Sequence, residues 1–173
     1  MSHAAETHNG VSRPGAIRCA RRSTHGTRAQ FIRYRVAASD ELLSAVQLMR
    51  ARHVGYLVVV DMDLREQFAR PVGVLSDRDI VVGVVASEAD VRGLRVGDVM
   101  TERPVTAAET ESIAAALDEM RRVGVRRLPV VGSRGQLVGV VSLDDVLAEL
   151  AAQLGNVAGA IGKEQRVEAA LRP

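Results

Sequence analysis

Two segments of the chain carry the same pattern of apolar and polar positions. In each segment, four apolar residues recur at the spacing i, i+3, i+4, i+7, which is typical of one face of an amphipathic helix. The first segment has Leu42, Ala45, Val46 and Met49 at these positions, and the second, 71 residues later, has Ile113, Ala116, Leu117 and Met120. We predict a helix in each copy, with Ser39 and Thr110 as the N-cap residues.

Each predicted helix is followed by two short apolar segments of matching sequence. The offset of 71 also places Val54–Val60 on Val125–Val131, and an offset of 66 then places Val72–Ile80 on Val138–Val146. Their β-branched residues predict strands over 56–60, 72–76, 127–131 and 138–142. The change of offset falls in Asp61–Pro71, which we expect to be a long and mobile loop.

The segment Ile80–Val85 is ambiguous, because its run of valines favours a strand. Its counterpart in the second copy, Val146–Leu154, has the polar and apolar spacing of a helix. We therefore predict that both segments are helices. Because the helix over 79–86 is apolar around most of its surface, we expect it to be buried on more than one side.

Each unit is thus predicted to be helix, strand, strand, helix, and the predicted fold class is α+β. A unit of about 60 residues is only marginally stable alone, so we expect the two units to pack together. Related by a pseudo-two-fold axis, they would leave two equivalent clefts between them. The predicted segments are a disordered basic arm over 1–30, a first repeat over 31–95, a second repeat over 96–155 and a C-terminal helix or tail over 156–173.

Composition and charge limit the classes of protein to which this chain can belong. With 47% hydrophobic and 25% charged residues the chain is typical of a soluble domain, and we predict no membrane span. The single cysteine, Cys19, excludes a disulfide framework and a cysteine-built zinc site, so we expect a cytoplasmic protein. Residues 1–30 contain five arginines and one acid, Glu6. This composition favours disorder, and nucleic-acid binding through the arm is an alternative that we do not expect.

A Gly-x-x-Ser-x-x-Asp motif follows the second predicted strand of each unit. Its residues are Gly73, Ser76 and Asp79 in the first unit and Gly139, Ser142 and Asp145 in the second. In addition, Asp98–Thr101 precedes Pro104–Thr106, and Gly124–Val131 follows a predicted helix. The order and spacing of these segments resemble a tandem pair of CBS domains, also called a Bateman module. The resemblance covers residues 31–155. It implies a regulatory module that binds an adenosine-containing ligand, such as AMP, ADP, ATP, NAD or S-adenosylmethionine.

The same resemblance implies protein partners. Tandem CBS modules commonly pair into flat dimers through exposed helix faces, and the apolar helix over 79–86 fits such a contact. We therefore expect a homodimer that reports ligand binding to an effector protein, which the sequence does not identify.

The Ser-x-x-Asp motif at a strand-to-helix junction has two compatible interpretations. In the structural one, the serine is an N-cap and the aspartate completes a capping box, which stabilises the helix by about 1 kcal/mol. In the functional one, the helix N-terminus attracts phosphate and the carboxylate accepts both hydrogens of a vicinal ribose diol. We expect an adenosyl site at Asp145 and a weaker or vacant one at Asp79.

The residues ahead of the second hairpin make the two predicted clefts unequal. Arg126 and Arg127 precede a strand in which side chains alternate, so one guanidinium would face the cleft and bind phosphate. The first repeat has Gly55 and Tyr56 at the matching positions and brings no such charge. We therefore predict that the site of the second repeat prefers a phosphorylated ligand.

The resemblance adds further ligand contacts in the second repeat. It implies that the edge formed by Pro104, Val105 and Thr106 contacts the adenine and the ribose or phosphate, and it places Leu128 and Pro129 in the site. The structural alternative is that Pro104 ends a linker and Thr106 begins a strand. The first repeat lacks the Pro-x-Thr strand that the family has at this place.

Known catalytic motifs are absent from the sequence. It contains no Gly-x-x-x-x-Gly-Lys, no Gly-x-Ser-x-Gly and no His-Glu-x-x-His. We therefore expect a protein that is not an enzyme and that has neither a catalytic cofactor nor a metal site. The alternative function is a ligand-free structural or protein-interaction module that forms a homodimer.

Overall fold

The computed structural model describes residues 35–63 and 68–171, so the predicted basic arm lies outside the described residues. Each repeat contains a short strand, a helix, a β-hairpin and a second helix, in that order. The strands are β1 (Arg35–Val36), β2 (Tyr56–Asp63), β3 (Phe68–Ser76), β4 (Thr101–Glu102), β5 (Ala107–Ala108), β6 (Arg127–Val131) and β7 (Leu137–Ser142). The helices are α1 (Leu42–Arg52), α2 (Asp77–Ile80), α3 (Ile113–Val123) and α4 (Leu143–Leu171).

The described strands form two sheets, in the orders β1-β2-β3-β4 and β5-β6-β7, so that β4, near the start of the second repeat, joins the sheet of the first. In both sheets the first strand runs parallel to the second, which then forms an antiparallel hairpin with the third. Both hairpins have a register shift, between Val59 and Val60 and between Val130 and Val131, which are 71 residues apart. The α+β fold class and the internal repeat are therefore confirmed.

The long loop predicted over Asp61–Pro71 is wrong, because this segment extends the first hairpin. β2 continues to Asp63 and β3 begins at Phe68. Val60 and Ala69 are buried against apolar residues of the second repeat. The added residues therefore gain cross-strand pairing and packing that a free loop would lack.

The segment Ile80–Val85 is helical, as the repeat predicts. α2 continues into a π-helical turn over Val81–Val85. Val84 is buried, but Val81, Val82 and Val85 are 55%, 59% and 65% exposed. The expectation that this helix is buried on more than one side is therefore wrong for the part of the chain that the structure describes.

The N-caps predicted for α1 and α3 are wrong by two residues. Glu41 and Ser112 occupy these positions, again 71 residues apart. The Ser112 hydroxyl accepts a backbone hydrogen bond, whereas Glu41 makes no side-chain cap. Ser39 and Thr110 lie in the turns before the helices, and in the first repeat the carboxylate of Asp40 holds this turn by accepting a backbone N–H at 2.8 Å.

Three clusters of buried apolar residues hold the fold together. Because side chains alternate along a strand, Leu57 and Val59 of β2 pack in a cluster with α1, whereas Tyr56, Val58 and Val60 face the other repeat. The first cluster includes Leu42, Met49, Leu57, Val59 and Leu75, and the second includes Ala116, Met120, Leu128, Val130 and Val146. The third cluster, Val58, Val60 and Ala69 with Leu137 and Val140, joins the two sheets.

The ends of the two hairpins also contact each other. The guanidinium carbons of Arg70 and Arg134 lie 4.9 and 5.0 Å from the centroid of the Phe68 ring. Gly135, at φ +77, approaches Arg70 so closely that an added Cβ would lie 2.9 Å from its Nη1 atom. Cation–π contacts therefore link the extended hairpin of the first repeat to the turn of the second.

The second repeat ends in a helix that continues through residue 155. α4 is a single helix of 29 residues, so the described part of the predicted C-terminal segment is not a separate short helix. Within residues 35–63 and 68–171, none of the helices has both the length and the apolar character needed to cross a membrane.

Candidate functional site

The junction between β7 and α4 orients the carboxylate of Asp145. Ser142 is 5% exposed, and its backbone N–H donates to Asp145 Oδ2 at 3.0 Å. Its hydroxyl donates to the same oxygen and accepts from the Asp145 backbone N–H at 3.1 Å. The capping box therefore uses Oδ2, and within the described residues no hydrogen bond engages Oδ1 of the half-buried side chain.

The junction between β3 and α2 repeats this geometry. The backbone N–H and the hydroxyl of Ser76 donate to Asp79 Oδ2 at 2.8 and 2.7 Å, and the Asp79 N–H donates to Ser76 Oγ at 3.2 Å. The structural interpretation of Ser-x-x-Asp is therefore correct in both repeats. It leaves the ligand interpretation open, because the capping bonds fix the side chain without consuming the second oxygen.

The two repeats meet at a pair of equivalent residues, Tyr56 and Arg127. The guanidinium carbon of Arg127 lies 5.7 Å from the centroid of the Tyr56 ring. Tyr56 pairs with Ser76 on β3, as Arg127 pairs with Ser142 on β7. The backbone of Arg127 therefore lies beside Ser142 of the second motif, whereas its guanidinium lies against Tyr56 of the first repeat.

Burial and charge act on the Tyr56 hydroxyl in opposite directions. Burial raises the pKa of Tyr56, the Arg127 guanidinium lowers it, and the carboxylate of Asp79 raises it further. The net effect is a phenol that stays protonated above its usual range. Asp79, Tyr56 and Arg127 therefore form one electrostatic group at the seam between the repeats.

We expect the raised pKa of Tyr56 to make the protein less stable at alkaline pH. An unfolded tyrosine ionises near pH 10, whereas the folded one does not, so its stabilising effect is complete below about pH 10 and is lost as the pH rises further. Urea unfolding from pH 8 to 11 measures this, and Tyr56→Phe should show a smaller alkaline loss. Identical pH profiles for the two proteins would contradict the assignment.

Arg126 lies at the edge of the predicted site. Its side chain is exposed, and its carbonyl accepts the Leu143 N–H at 2.9 Å at the start of α4. Gly55 makes the equivalent bond to Asp77 at 3.1 Å, and a Cβ on Gly55 would lie 2.5 Å from Asp77 Oδ2. A side chain at position 55 would therefore require the exposed carboxylate of Asp77 to move, whereas the second repeat accommodates an arginine at the matching position.

The remaining predicted contacts of the second repeat lie on β5, β6 and the segment ahead of them. Pro104, Val105 and Thr106 are half-buried and precede β5, which begins one residue after Thr106. Leu128 and Pro129 are fully buried in β6. A ligand contact by these two side chains stays a prediction, because protein atoms enclose both.

The two motif glycines lie on the central hairpins beside the register shifts. Gly73 pairs with Val59, and Gly139 pairs with Val130. A Cβ on Gly73 would lie 2.5 Å from Met100 Sδ and 3.2 Å from the Thr101 carbonyl. This glycine therefore permits β4 to lie against β3.

Sequence reasoning missed the role of Tyr56 and the position of Arg35. Both follow from the offset of 71, which maps Tyr56 onto Arg127 and Arg35 onto Thr106. Arg35 pairs with Val58 at the start of β1, and its side chain is exposed. The first repeat thus has an arginine where the second has a threonine.

The described residues contain no cluster of His, Cys, Asp and Glu side chains that could hold a metal ion. The chemistry available at each junction is therefore that of a carboxylate, a serine and a helix N-terminus, with Arg127 nearby.

The family of the protein follows from two matches within this architecture. The CBS domain model matches residues 34–85 and again residues 96–152. The chain belongs to the CBS-domain family and contains a tandem pair of these regulatory domains.

Solved structures of CBS-domain proteins share the fold. A protein with CBS domains from Burkholderia ambifaria superposes with a TM-score of 0.60 at 28% identity, covering 69% of this chain and 82% of that one. A CBS domain protein from Pyrobaculum aerophilum, complexed with AMP, superposes with a TM-score of 0.58 at 29% identity, covering 68% and 90%.

The CBS-domain region of this chain also matches part of longer curated relatives. Inosine-5'-monophosphate dehydrogenase from Mycobacterium bovis is 36% identical over 108 residues, which are 61% of this chain but 18% of the enzyme. Its catalytic domain is not covered by this chain. The chain spans 48% and 66% of the length of two other curated relatives, at 30% and 33% identity.

Proposed function

We propose that this protein is a regulatory module that binds an adenosine-containing ligand in a cleft between its two repeats. Binding changes how the module contacts an effector protein, and the module itself catalyses no reaction. The observation that carries the proposal is the fixed carboxylate of Asp145, whose Oδ2 is held by Ser142 while the half-buried side chain keeps Oδ1 available.

A nucleoside fits this carboxylate through its sugar. Vicinal ribose hydroxyls are two donors close together, and hydrogen bonds to a charged acceptor are stronger than those between neutral groups. A carboxylate held in one orientation loses little freedom on binding. The AMP complex of the Pyrobaculum aerophilum protein supports an adenosine compound as the ligand.

The phosphate would lie at the N-terminus of α4. This helix has 29 residues, and its first N–H groups offer a partial positive charge. Arg127 would add a guanidinium if it turned from Tyr56 towards the ligand, while Arg126 is exposed at the edge of the site. Pro104, Val105 and Thr106 would contact the base and the sugar from the neighbouring edge.

The cleft beside Asp79 would bind ligand more weakly or remain vacant. Its helix has four α-helical residues before the π-helical turn, which gives a weaker dipole than α4. Tyr56, whose hydroxyl is under the electrostatic influence of Asp79, already contacts the guanidinium of Arg127. A ligand there would have to separate this contact.

We propose in addition that the module acts as a homodimer. The exposed valines at 81, 82 and 85 form an apolar surface on α2 and its π-helical turn. The same surface is the observation that favours the second candidate function, a ligand-free protein-interaction module. A cytoplasmic location stays a prediction.

Thermal denaturation with a nucleotide panel separates the two functions. AMP, ADP, ATP, NAD and S-adenosylmethionine are compared with GMP and with 2',3'-dideoxy-AMP, which lacks the ribose diol. A ligand at about 100 times its dissociation constant adds about 2.7 kcal/mol, which for a chain of this size raises Tm by about 5–11 °C.

We expect such a shift with at least one adenosine compound and none with the dideoxy analogue. If no compound in the panel shifts Tm, the ligand-free module is correct. If the dideoxy analogue stabilises as well as AMP, the carboxylate does not recognise the ribose.

A further inference from the structure

The sheet of the first repeat takes its fourth strand from the second repeat. β4 lies just ahead of β5 in the chain, yet it pairs with β3, so that Gly73 lies opposite Glu102 and Val74 lies opposite Thr101. The chain therefore crosses from one sheet to the other over residues 103–106. In the described part of the chain, the sheet of the second repeat has three strands, and none of the described strands takes the corresponding place beside β7.

The internal repeat identifies the segment that corresponds to β4. The offset of 71 relates the pairing of β1 with β2 to that of β5 with β6, in register. The same offset maps Thr101 and Glu102 onto Gln30 and Phe31. Both lie outside the described residues, which begin at Arg35 in β1. The chain between this segment and β1 is therefore about as long as the crossing in the second repeat.

A glycine in β7 indicates that a neighbouring backbone approaches this strand closely. On β3, Gly73 accommodates β4, because an added Cβ would lie 2.5 Å from Met100 Sδ and 3.2 Å from the Thr101 carbonyl oxygen. Gly139 is the equivalent residue of β7. Glycine inside a strand is unfavourable, and it often marks a site where another backbone lies close. The second repeat thus retains the glycine that in the first repeat makes room for a strand.

The sequence immediately ahead of β1 favours a strand. Residues 28–36 contain neither glycine nor proline. Phe31, Ile32, Tyr34 and Val36 are aromatic or β-branched, and these residue types are enriched in strands. A segment of this composition can add to the edge of a sheet through its backbone hydrogen bonds.

We propose that Gln30 and Phe31 pair with β7 of the same chain as an antiparallel strand, opposite Val140 and Gly139. Each repeat then supplies a strand to the sheet of the other. The described crossing over 103–106 supports the same chain as the source, because it shows that four residues span the two sheets. The pseudo-two-fold relation gives the segment ahead of β1 a connection of similar length, and a short connection costs little closure entropy.

The added strand would stabilise the hairpin that leads to the candidate site. β7 ends at Ser142, whose backbone N–H and hydroxyl hold the Asp145 carboxylate. A strand beside β7 would therefore fix the position from which this carboxylate is oriented. The inference concerns the fold of the chain and does not rest on the proposed ligand.

Disulfide cross-linking of the full chain, in a Cys19→Ser background, tests the register. The test variant is Gln30→Cys/Val140→Cys, because residues opposite each other on antiparallel strands lie within the Cα separation that a disulfide needs. The positive control, Val74→Cys/Thr101→Cys, joins two residues that lie opposite each other in the first sheet. The negative control, Gln30→Cys/Val74→Cys, offers the segment the equivalent residue of the other sheet.

We expect the test variant to oxidise as completely as the positive control and within single chains, as shown by non-reducing electrophoresis and peptide mapping. The negative control should oxidise at least about tenfold more slowly, because its cysteines lie on different sheets. The proposal is wrong if the 30–140 link does not form, or if the negative control oxidises equally fast. A 30–140 link between two chains would assign the place to a second copy and overturn the intramolecular pairing.

Hydrogen exchange of the unsubstituted protein gives a second readout that no cysteine substitution can disturb. The N–H groups of Gly139 and Val140 should be protected to the same degree as those of Gly73 and Val74, their equivalents beside β4. Fast exchange on β7 at a position whose equivalent on β3 exchanges slowly would overturn the proposal.

Discussion

Asp145→Ala should weaken binding of the adenosine ligand by about 100-fold or more, because two hydrogen bonds from the ribose diol to a charged acceptor are lost. The substitution also removes the capping box with Ser142, which should cost about 1 kcal/mol of folding stability without ligand. Isothermal titration calorimetry measures the first effect, and urea unfolding of the free protein measures the second.

The matched control for this prediction is Asp79→Ala. Its carboxylate accepts the same two hydrogen bonds from Ser76, so the loss of folding stability should be similar. The loss of ligand affinity should be much smaller, because we assign the stronger site to the second repeat. A larger loss of affinity for Asp79→Ala than for Asp145→Ala would reverse the order of the two sites.

Val58→Asp should lower the free energy of unfolding by about 3–5 kcal/mol, because it buries a charge that has no partner. Val58 is 1% exposed and lies in the cluster that joins the two sheets. The control is Met62→Asp, on the same face of β2 but 46% exposed, which should cost less than about 1 kcal/mol. Urea unfolding at neutral pH measures both.

This comparison tests whether the repeats stabilise each other. If Val58→Asp and Met62→Asp have equal and small effects, the contact between the sheets contributes little. The repeats would then behave as independent units, and a cleft between them would have no fixed shape.

The repeat itself made most of the fold predictable. Leu42 and Met49 predicted one helix, and their counterparts 71 residues later predicted another, because a helix buries every third or fourth residue. The valines of Ile80–Val85 favour a strand, so this helix was predicted only from its counterpart in the second repeat, Val146–Leu154. Internal comparison therefore corrected a wrong local propensity.

The errors arose where tertiary contacts decide local structure. The extension of the first hairpin to Asp63 depends on packing of Ala69 against the second repeat, which no local pattern shows. The helices begin after Glu41 and Ser112, and not after Ser39 and Thr110, because the polar residues before them form turns. The helix of the second repeat continues beyond the boundary predicted at 155, because α4 runs without interruption to Leu171.

The local geometry of the two Ser-x-x-Asp motifs was predicted in part, and ligand binding by their residues stays a prediction. Both Ser-x-x-Asp motifs lie at strand-to-helix junctions, as expected, and the structure reveals the cap that holds each carboxylate. The contact between Arg127 and Tyr56 was not predicted, because the two residues were compared as equivalent positions and not as neighbours across a pseudo-two-fold axis. Equivalent residues close to such an axis are necessarily close to each other.

A crystal structure of the protein saturated with the adenosine compound that stabilises it most tests the account directly. The account predicts the ligand between the repeats, with its two ribose hydroxyls within about 3 Å of the Asp145 carboxylate and its phosphate at the first turn of α4. A ligand bound elsewhere on the surface, or an Asp145 carboxylate with no ligand contact at saturation, would contradict it.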